Sequence, residues 1–251
     1  MTEAGKTMLV TGGSRGIGAA TALEAARRGW RVAVNYVANE AAAEEVVSRI
    51  TAGGGEAFAV RGDVGVEADI LAMFKAVDDR WGRLDALVNN AGVVDLASRV
   101  DGMSAERLER MFRINLTGSF LCAREAVKRM STARGGRGGG IVNLSSAAAR
   151  IASPNQYVDY AASKAGIDLM TRGLALEVAG EGIRVNAVRP GIIDTDIHAA
   201  GGEPDRVARL RGAVPMKREG SAREVAMTIL WLLSDEASYV TGAIVDVAGG
   251  R

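Results

Sequence analysis

Cysteine and histidine are almost missing from this chain: Cys122 and His198 are the single residues of each type among 251. That excludes an internal disulfide and any metal site built from several Cys or His ligands, so the chemistry must rest on other groups. Aromatic residues make up only 4% and prolines number 4, whereas glycines number 32. A core with few rings is assembled from Ala, Val, Leu and Ile, and so many glycines point to tight backbone approaches rather than stiff linkers. An excess of one charge is also missing, since 31 Lys and Arg face 30 Asp and Glu, interspersed along the chain. No basic footprint for nucleic acid or an anionic membrane is present. No run of about 18 apolar residues occurs, and the N-terminus lacks a signal-like apolar stretch, which predicts a soluble cytoplasmic protein. The 48% of hydrophobic residues still supplies enough apolar surface to rule out wholesale disorder.

What is there is an alternation. Short β-rich runs at Thr7 to Val10, Arg31 to Tyr36, Glu56 to Val60, Ala86 to Asn89, Ile141 to Leu144, Arg184 to Val188 and Ala243 to Val247 are separated by segments of helical period. The helices are predicted over Gly16 to Arg28, Asn39 to Ile50, Glu67 to Trp81, Ser104 to Met130, Tyr157 to Val178 and Ala222 to Leu233, the last opened by a Ser221/Glu224 capping box. Seven strands with helical crossovers predict one α/β domain over residues 1–251, a doubly wound parallel sheet with helices on both faces. The long irregular stretch from Asp194 to Gly220 reads as a substrate lid. Between Thr195 and Gly220 it holds five bases and four acids, a balance that gives no reason to invoke a phosphorylated or carrier-bound substrate. His198 reads as a solvated lid residue and Cys122 as core packing.

The first strand runs into Thr11-Gly12-Gly13-Ser14-Arg15-Gly16-Ile17-Gly18, and the following helix starts inside that string. Backbone N–H groups and the helix dipole then point at an anion, and a pyrophosphate fits; alone, the same string also suits a plain glycine-rich turn. NAD readers place an acid about 20 residues after such a motif to take the ribose 2′-OH, but this second strand ends Val34-Asn35-Tyr36-Val37. Arg15 can meet a 2′-phosphate with paired N–H donors, so NADP(H) is favoured over NAD(H), which Asn35 still tolerates.

The string at 11–18, together with Asp63-Val64, Asn89-Asn90-Ala91-Gly92, Asn115, Ser145-Ser146, Tyr160-Ala-Ala-Ser-Lys164, Pro190-Gly191 and Thr195, resembles the short-chain dehydrogenase/reductase family over essentially the whole length. Members acting on 3-oxoacyl carrier proteins and on sugars or alcohols are resembled about equally. The resemblance implies a Rossmann-like seven-stranded sheet, a nicotinamide cofactor, hydride transfer at a carbonyl or hydroxyl carbon of a small molecule, and a homotetramer. By the same resemblance Tyr160 is the acid/base, Ser146 polarises the substrate oxygen, and Lys164 also holds the nicotinamide ribose. Asn115 helps hold a water of the proton relay. Gly12, Ser14, Arg15, Gly16, Ile17, Gly18, Asn35, Asp63, Val64, Asn90, Ala91, Gly92, Pro190, Gly191, Ile193 and Thr195 line the cofactor site.

The residues themselves agree on Tyr160 and Lys164, since an i, i+4 pair shares a helix face and a cation beside a phenol favours phenolate. At about 5 Å and an effective dielectric near 20 the attraction is roughly 3 kcal/mol, predicting a Tyr160 pKa about 2 units below its reference value. Tyr157 has no lysine at i+4. Ser146 precedes Tyr160 by 14 positions, one more than the resemblance implies, so a residue must be absorbed through Ser153-Pro154-Asn155, and Ser145 stays open as the alternative to Ser146. A dinucleotide-binding sensor without turnover and an NAD-dependent dehydrogenase are the rival functions.

Overall fold

The computed structural model describes residues 5–195, 201–203 and 205–251, so His198 lies outside the described residues. In chain order its elements are β1 (Thr7–Val10), α1 (Gly16–Arg27), β2 (Arg31–Tyr36), α2 (Glu40–Ala52), β3 (Ala57–Arg61), α3 (Glu67–Trp81) and β4 (Ala86–Asn89). There follow α4 (Ala105–Phe112), α5 (Gly118–Met130), β5 (Gly139–Leu144), α6 (Ala148–Ile151), α7 (Val158–Val178) and β6 (Ile183–Pro190). The last elements are β7 (Ile193–Asp194), α8 (Arg206–Leu210), β8 (Gly220–Ser221), α9 (Ala222–Leu233) and β9 (Ile244–Val247).

Seven strands form one parallel sheet in the order β3-β2-β1-β4-β5-β6-β9. Successive side chains of a strand point to opposite faces, and both faces here are covered, which is why the strands read as nearly unbroken apolar runs. Met8, Val10, Val32, Val34 and Val88 pack on one side with Ala22, Ala25, Val225 and Ile229 of α1 and α9. Leu9, Ala33 and Leu87 pack on the other with Phe74 of α3, Cys122 and Ala126 of α5, and Ile167 of α7. Cys122 is fully buried and burial pushes its thiol up to about 12, which makes it inert packing. The predicted Ser221 capping box is formed.

Three local features depart from the sequence reading. The single helix expected over Ser104 to Met130 is broken by a π-helical turn at Arg113–Thr117, with Ser104 capping α4. Periodicity cannot register this, because a π turn inserts residues without breaking the hydrogen-bonded helical path. A second, two-stranded sheet joins β7 to β8, with Ile193 opposite Gly220. The turn after α6 places Ala152, Ser153 and Asn155 at positive φ, the region where the longer spacing to Tyr160 has to be absorbed.

Candidate active site

The strand order reverses between β1 and β4, whose neighbours lie on opposite sides, and a crevice opens at the carboxyl ends of such strands. Gly12 there adopts φ +60°, and a Cβ on it would come 3.1 Å from Ala91 Cα and 3.2 Å from Asn90 Nδ2. Gly18 is tighter still, its added Cβ 2.6 Å from Asn90 Nδ2. Asn90 Nδ2 donates to the carbonyls of Thr11 (2.8 Å) and Gly12 (3.0 Å), so the loops after β1 and β4 are knitted together. Arg15 is the N-cap of α1 and supplies no side-chain cap, leaving the first N–H groups of a twelve-residue helix open to the crevice. An open helix N-terminus behind a cradle that admits only glycine suits the pyrophosphate of a dinucleotide.

Asn35 sits behind this loop. It is 1% exposed; its Oδ1 accepts from Gly12 N (3.0 Å) and its Nδ2 donates to Gly62 O (2.9 Å), so its side chain braces the glycine turn. Asp63 Oδ1 accepts from Gly65 N at 2.7 Å, and Val64 is buried beneath Gly118. Beyond β2, burial and the neighbouring Glu40 carboxylate raise the pKa of the Tyr36 hydroxyl. Arg15 is exposed, and its guanidinium makes no ion pair among the described residues.

Ser146, Tyr160 and Lys164 line one cleft together with Ile17, Asn90, Gly92, Pro190, Gly191, Ile193 and Thr195. β5 delivers the serines at its carboxyl end and α7 carries Tyr160 and Lys164 on one face. Ser146 Oγ accepts from Ala148 N at 3.1 Å and lies beside the Tyr160 hydroxyl, while Ser145 is 3% exposed and its Oγ donates to Lys164 O at 3.1 Å. The two serines thus have different partners, although both border the cleft. Lys164 is 4% exposed and its Nζ donates to Leu144 O at 2.7 Å. Burial pulls Lys164 down to about 8, opposed by the charge of Asp168. The expectation that Lys164 would depress Tyr160 is overturned: burial raises the Tyr160 pKa, and the neighbouring Ser146 hydroxyl only offsets it. Lys164 Nζ lies 5.6 Å from the centre of the Tyr160 ring, and the cost of burying a phenolate dominates.

Asn115, in the π turn, is fully buried and does not line the cleft. Its Oδ1 accepts from Val93 N (2.8 Å) and its Nδ2 donates to Val93 O (2.9 Å) and Ser163 Oγ (3.3 Å), pinning the segment after β4 against α7. Thr195 closes over the glycine loop, its Cγ2 being 3.4 Å from where a Gly16 Cβ would stand.

Sequence reasoning missed three groups here. Arg107 of α4 donates to Asp159 (2.8 Å) and to Leu96 O (2.7 Å), a buried tie next to Tyr160 that no spacing rule announces. Tyr157, set aside for want of a lysine, stacks under Arg206 and hydrogen-bonds Glu203. Arg251 also borders the cleft. Among the described residues no group of three or more His, Cys, Asp and Glu could hold a metal ion, and no helix is long and apolar enough to cross a membrane.

The family profile described as Enoyl-(Acyl carrier protein) reductase matches residues 12–251. The oxidoreductase YgfF of Escherichia coli is 57% identical over 243 residues, 97% of this chain and 98% of that one. The 3beta-hydroxysteroid dehydrogenase 1 of Eggerthella lenta is 42% identical, over 98% of this chain and 93% of its own. A short-chain dehydrogenase from Burkholderia cenocepacia J2315, solved in complex with NADP, superposes with a TM-score of 0.90 at 32% identity, covering 98% of both chains. The chain belongs to the short-chain dehydrogenase/reductase family and is an oxidoreductase of that class.

Proposed function

We propose that the protein is an NADP(H)-dependent carbonyl reductase or alcohol dehydrogenase acting on a small molecule. The observation that carries this reading is the meeting of Ser146, Tyr160 and Lys164 in one cleft with the open N-terminus of α1. The nicotinamide, when bound, supplies or accepts the hydride. Gly12, Ser14, Gly16 and Gly18 bring backbone to the pyrophosphate, and Arg15 meets the 2′-phosphate. Ile17, Asn90, Ala91 and Gly92 form the near wall, Asp63 and Val64 border the adenine, and Pro190, Gly191, Ile193 and Thr195 form the wall at the carboxamide. Asn35 serves this site from behind, by shaping the Gly12 turn.

In reduction, Ser146 donates to the substrate oxygen and Tyr160 hands it a proton. Burial favours that direction at neutral pH, because a phenol with a raised pKa holds its proton until the oxygen becomes basic. Lys164 fixes the ribose with donors not used by Leu144 O, and Asn115 holds the backbone that shapes the relay beside it. The stretch from about 194 to 220 acts as the substrate lid of one 1–251 domain. Support for NADP(H) comes from the missing carboxylate at the end of β2, the unpaired Arg15 and the NADP-bound neighbour.

The test follows NADPH and NADH oxidation against a carbonyl panel. Tyr160→Phe is expected to lower kcat by about 100-fold or more while NADPH titration is nearly unchanged. Arg15→Ala is expected to weaken NADPH far more than NADH. Near-wild-type turnover by Tyr160→Phe would remove the proton-donor role, and cofactor binding without turnover on the whole panel would favour a sensor.

A further inference from the structure

We propose that the substrate of this cleft carries an oxyanion, a carboxylate in the simplest case, and that the Arg251 guanidinium binds it. The proposal rests on the reductase reading and names its substrate class. Among the described residues three basic residues line the cleft, Lys164, Arg206 and Arg251, and no Asp or Glu does. Lys164 is held by Leu144 O. Arg206 is engaged by Glu203 at 2.8 Å and by Gln156 at 3.1 Å, although Glu203 is shared with Arg209 and the trio keeps one positive charge. The other arginines of the lid are spent as well: Arg209 pairs with Glu203, Arg211 with Glu219 and Arg218 with Glu224. The guanidinium of Arg251 has no hydrogen bond or ion pair among the described residues, and the residue is partly buried.

The chain is built to bring this residue to the cleft. After β9, Ala248 packs so closely on Gly191 that an added Cβ would come 2.7 Å from its Cα. Gly249 and Gly250 both take positive φ, at 62° and 89°, and Met216 N donates to Gly249 O at 3.1 Å. Arg150 of α6 donates to Arg251 O at 2.6 Å. Arg251 therefore stands on the α6 side of the cleft, next to the segment that carries Ser146. The cleft that Arg251 borders is also lined by Val94, Ile151 and Ile192, and apolar surface of this kind strengthens a guanidinium–oxyanion contact. The balanced lid hid this charge from sequence reasoning, since Arg251 lies outside the lid.

The experiment compares kcat/KM for benzoylformate and 4-oxopentanoate with their methyl esters, and for dihydroxyacetone phosphate with dihydroxyacetone. The wild type is expected to prefer the charged member of at least one pair, and the pair shows whether carboxylate or phosphate is favoured. Arg251→Ala is expected to collapse that preference by about 10- to 100-fold, Arg251→Lys to restore part of it, and Arg251→Glu to reverse it. Equal use of acid and ester, of phosphate and diol, or a preference that survives in Arg251→Ala, would overturn the inference while leaving the reductase reading intact. Absence of turnover on every carbonyl, charged or neutral, would overturn both.

Discussion

Lys164 keeps one protein hydrogen bond, to Leu144 O, and burial brings its pKa to about 8, below the 10.5 of a free lysine. The folded pKa is depressed, so between pH 8 and 10 the unfolded chain retains a proton that the native protein has released, and stability rises with pH across that window. At neutral pH the buried charge costs roughly 3 kcal/mol. Urea denaturation of the cofactor-free protein should show the wild type gaining roughly 2 kcal/mol on Lys164→Met between pH 7 and 10. Parallel profiles would mean that Lys164 is solvated. Single-residue chemistry was the least legible part of the sequence. The i, i+4 spacing placed Tyr160 and Lys164 on one helix face, but the direction of the Tyr160 shift depends on the dielectric around the hydroxyl, which is a property of the packed fold.

At the scale of elements, α4 and α7 are joined by a pair that decides where the loop after β4 lies. Arg107 and Asp159 have side chains only 12% and 0% exposed, and Arg107 also holds Leu96 O. Removing one partner of such a pair strands a buried charge, so Arg107→Ala is expected to destabilise the protein by about 3 kcal/mol in chemical denaturation. The double variant Arg107→Met, Asp159→Leu should be the milder of the two. Most elements were legible, because strands such as Thr7–Val10 are marked by apolar runs and α9 by its capping box. What escaped was set by contacts distant in sequence: the π turn that buries Asn115, and the β7–β8 pairing that ties Ile193 to Gly220.

Over the whole molecule, the sheet is covered by two cores, yet the outward faces of α5 and α7 leave Phe120 51%, Leu169 73% and Leu176 85% exposed. Apolar surface of this kind on neighbouring helices suits helix packing between copies, and the homotetramer proposed from the family resemblance would bury it. Light scattering at micromolar concentration should report about four times 26.1 kDa, and Leu169→Glu with Leu176→Glu should lower that mass. A monomer in the unsubstituted protein would contradict it.

The π turn at Arg113–Thr117 holds about one residue more than an α turn, and that surplus makes it the one place on this helical path where the chain can shorten without turning α5. Deleting a residue within α5 itself would rotate everything after it by about 100° and swing Ala126 and Met130, each with no exposed surface, out of the core. A deletion inside the π turn instead lets the wide turn close to an α turn, and what is lost is the seat of Asn115 and its grip on Val93. A deletion scan scored by soluble expression should show more tolerance at these five positions than within Gly118–Met130, with turnover lost where expression survives.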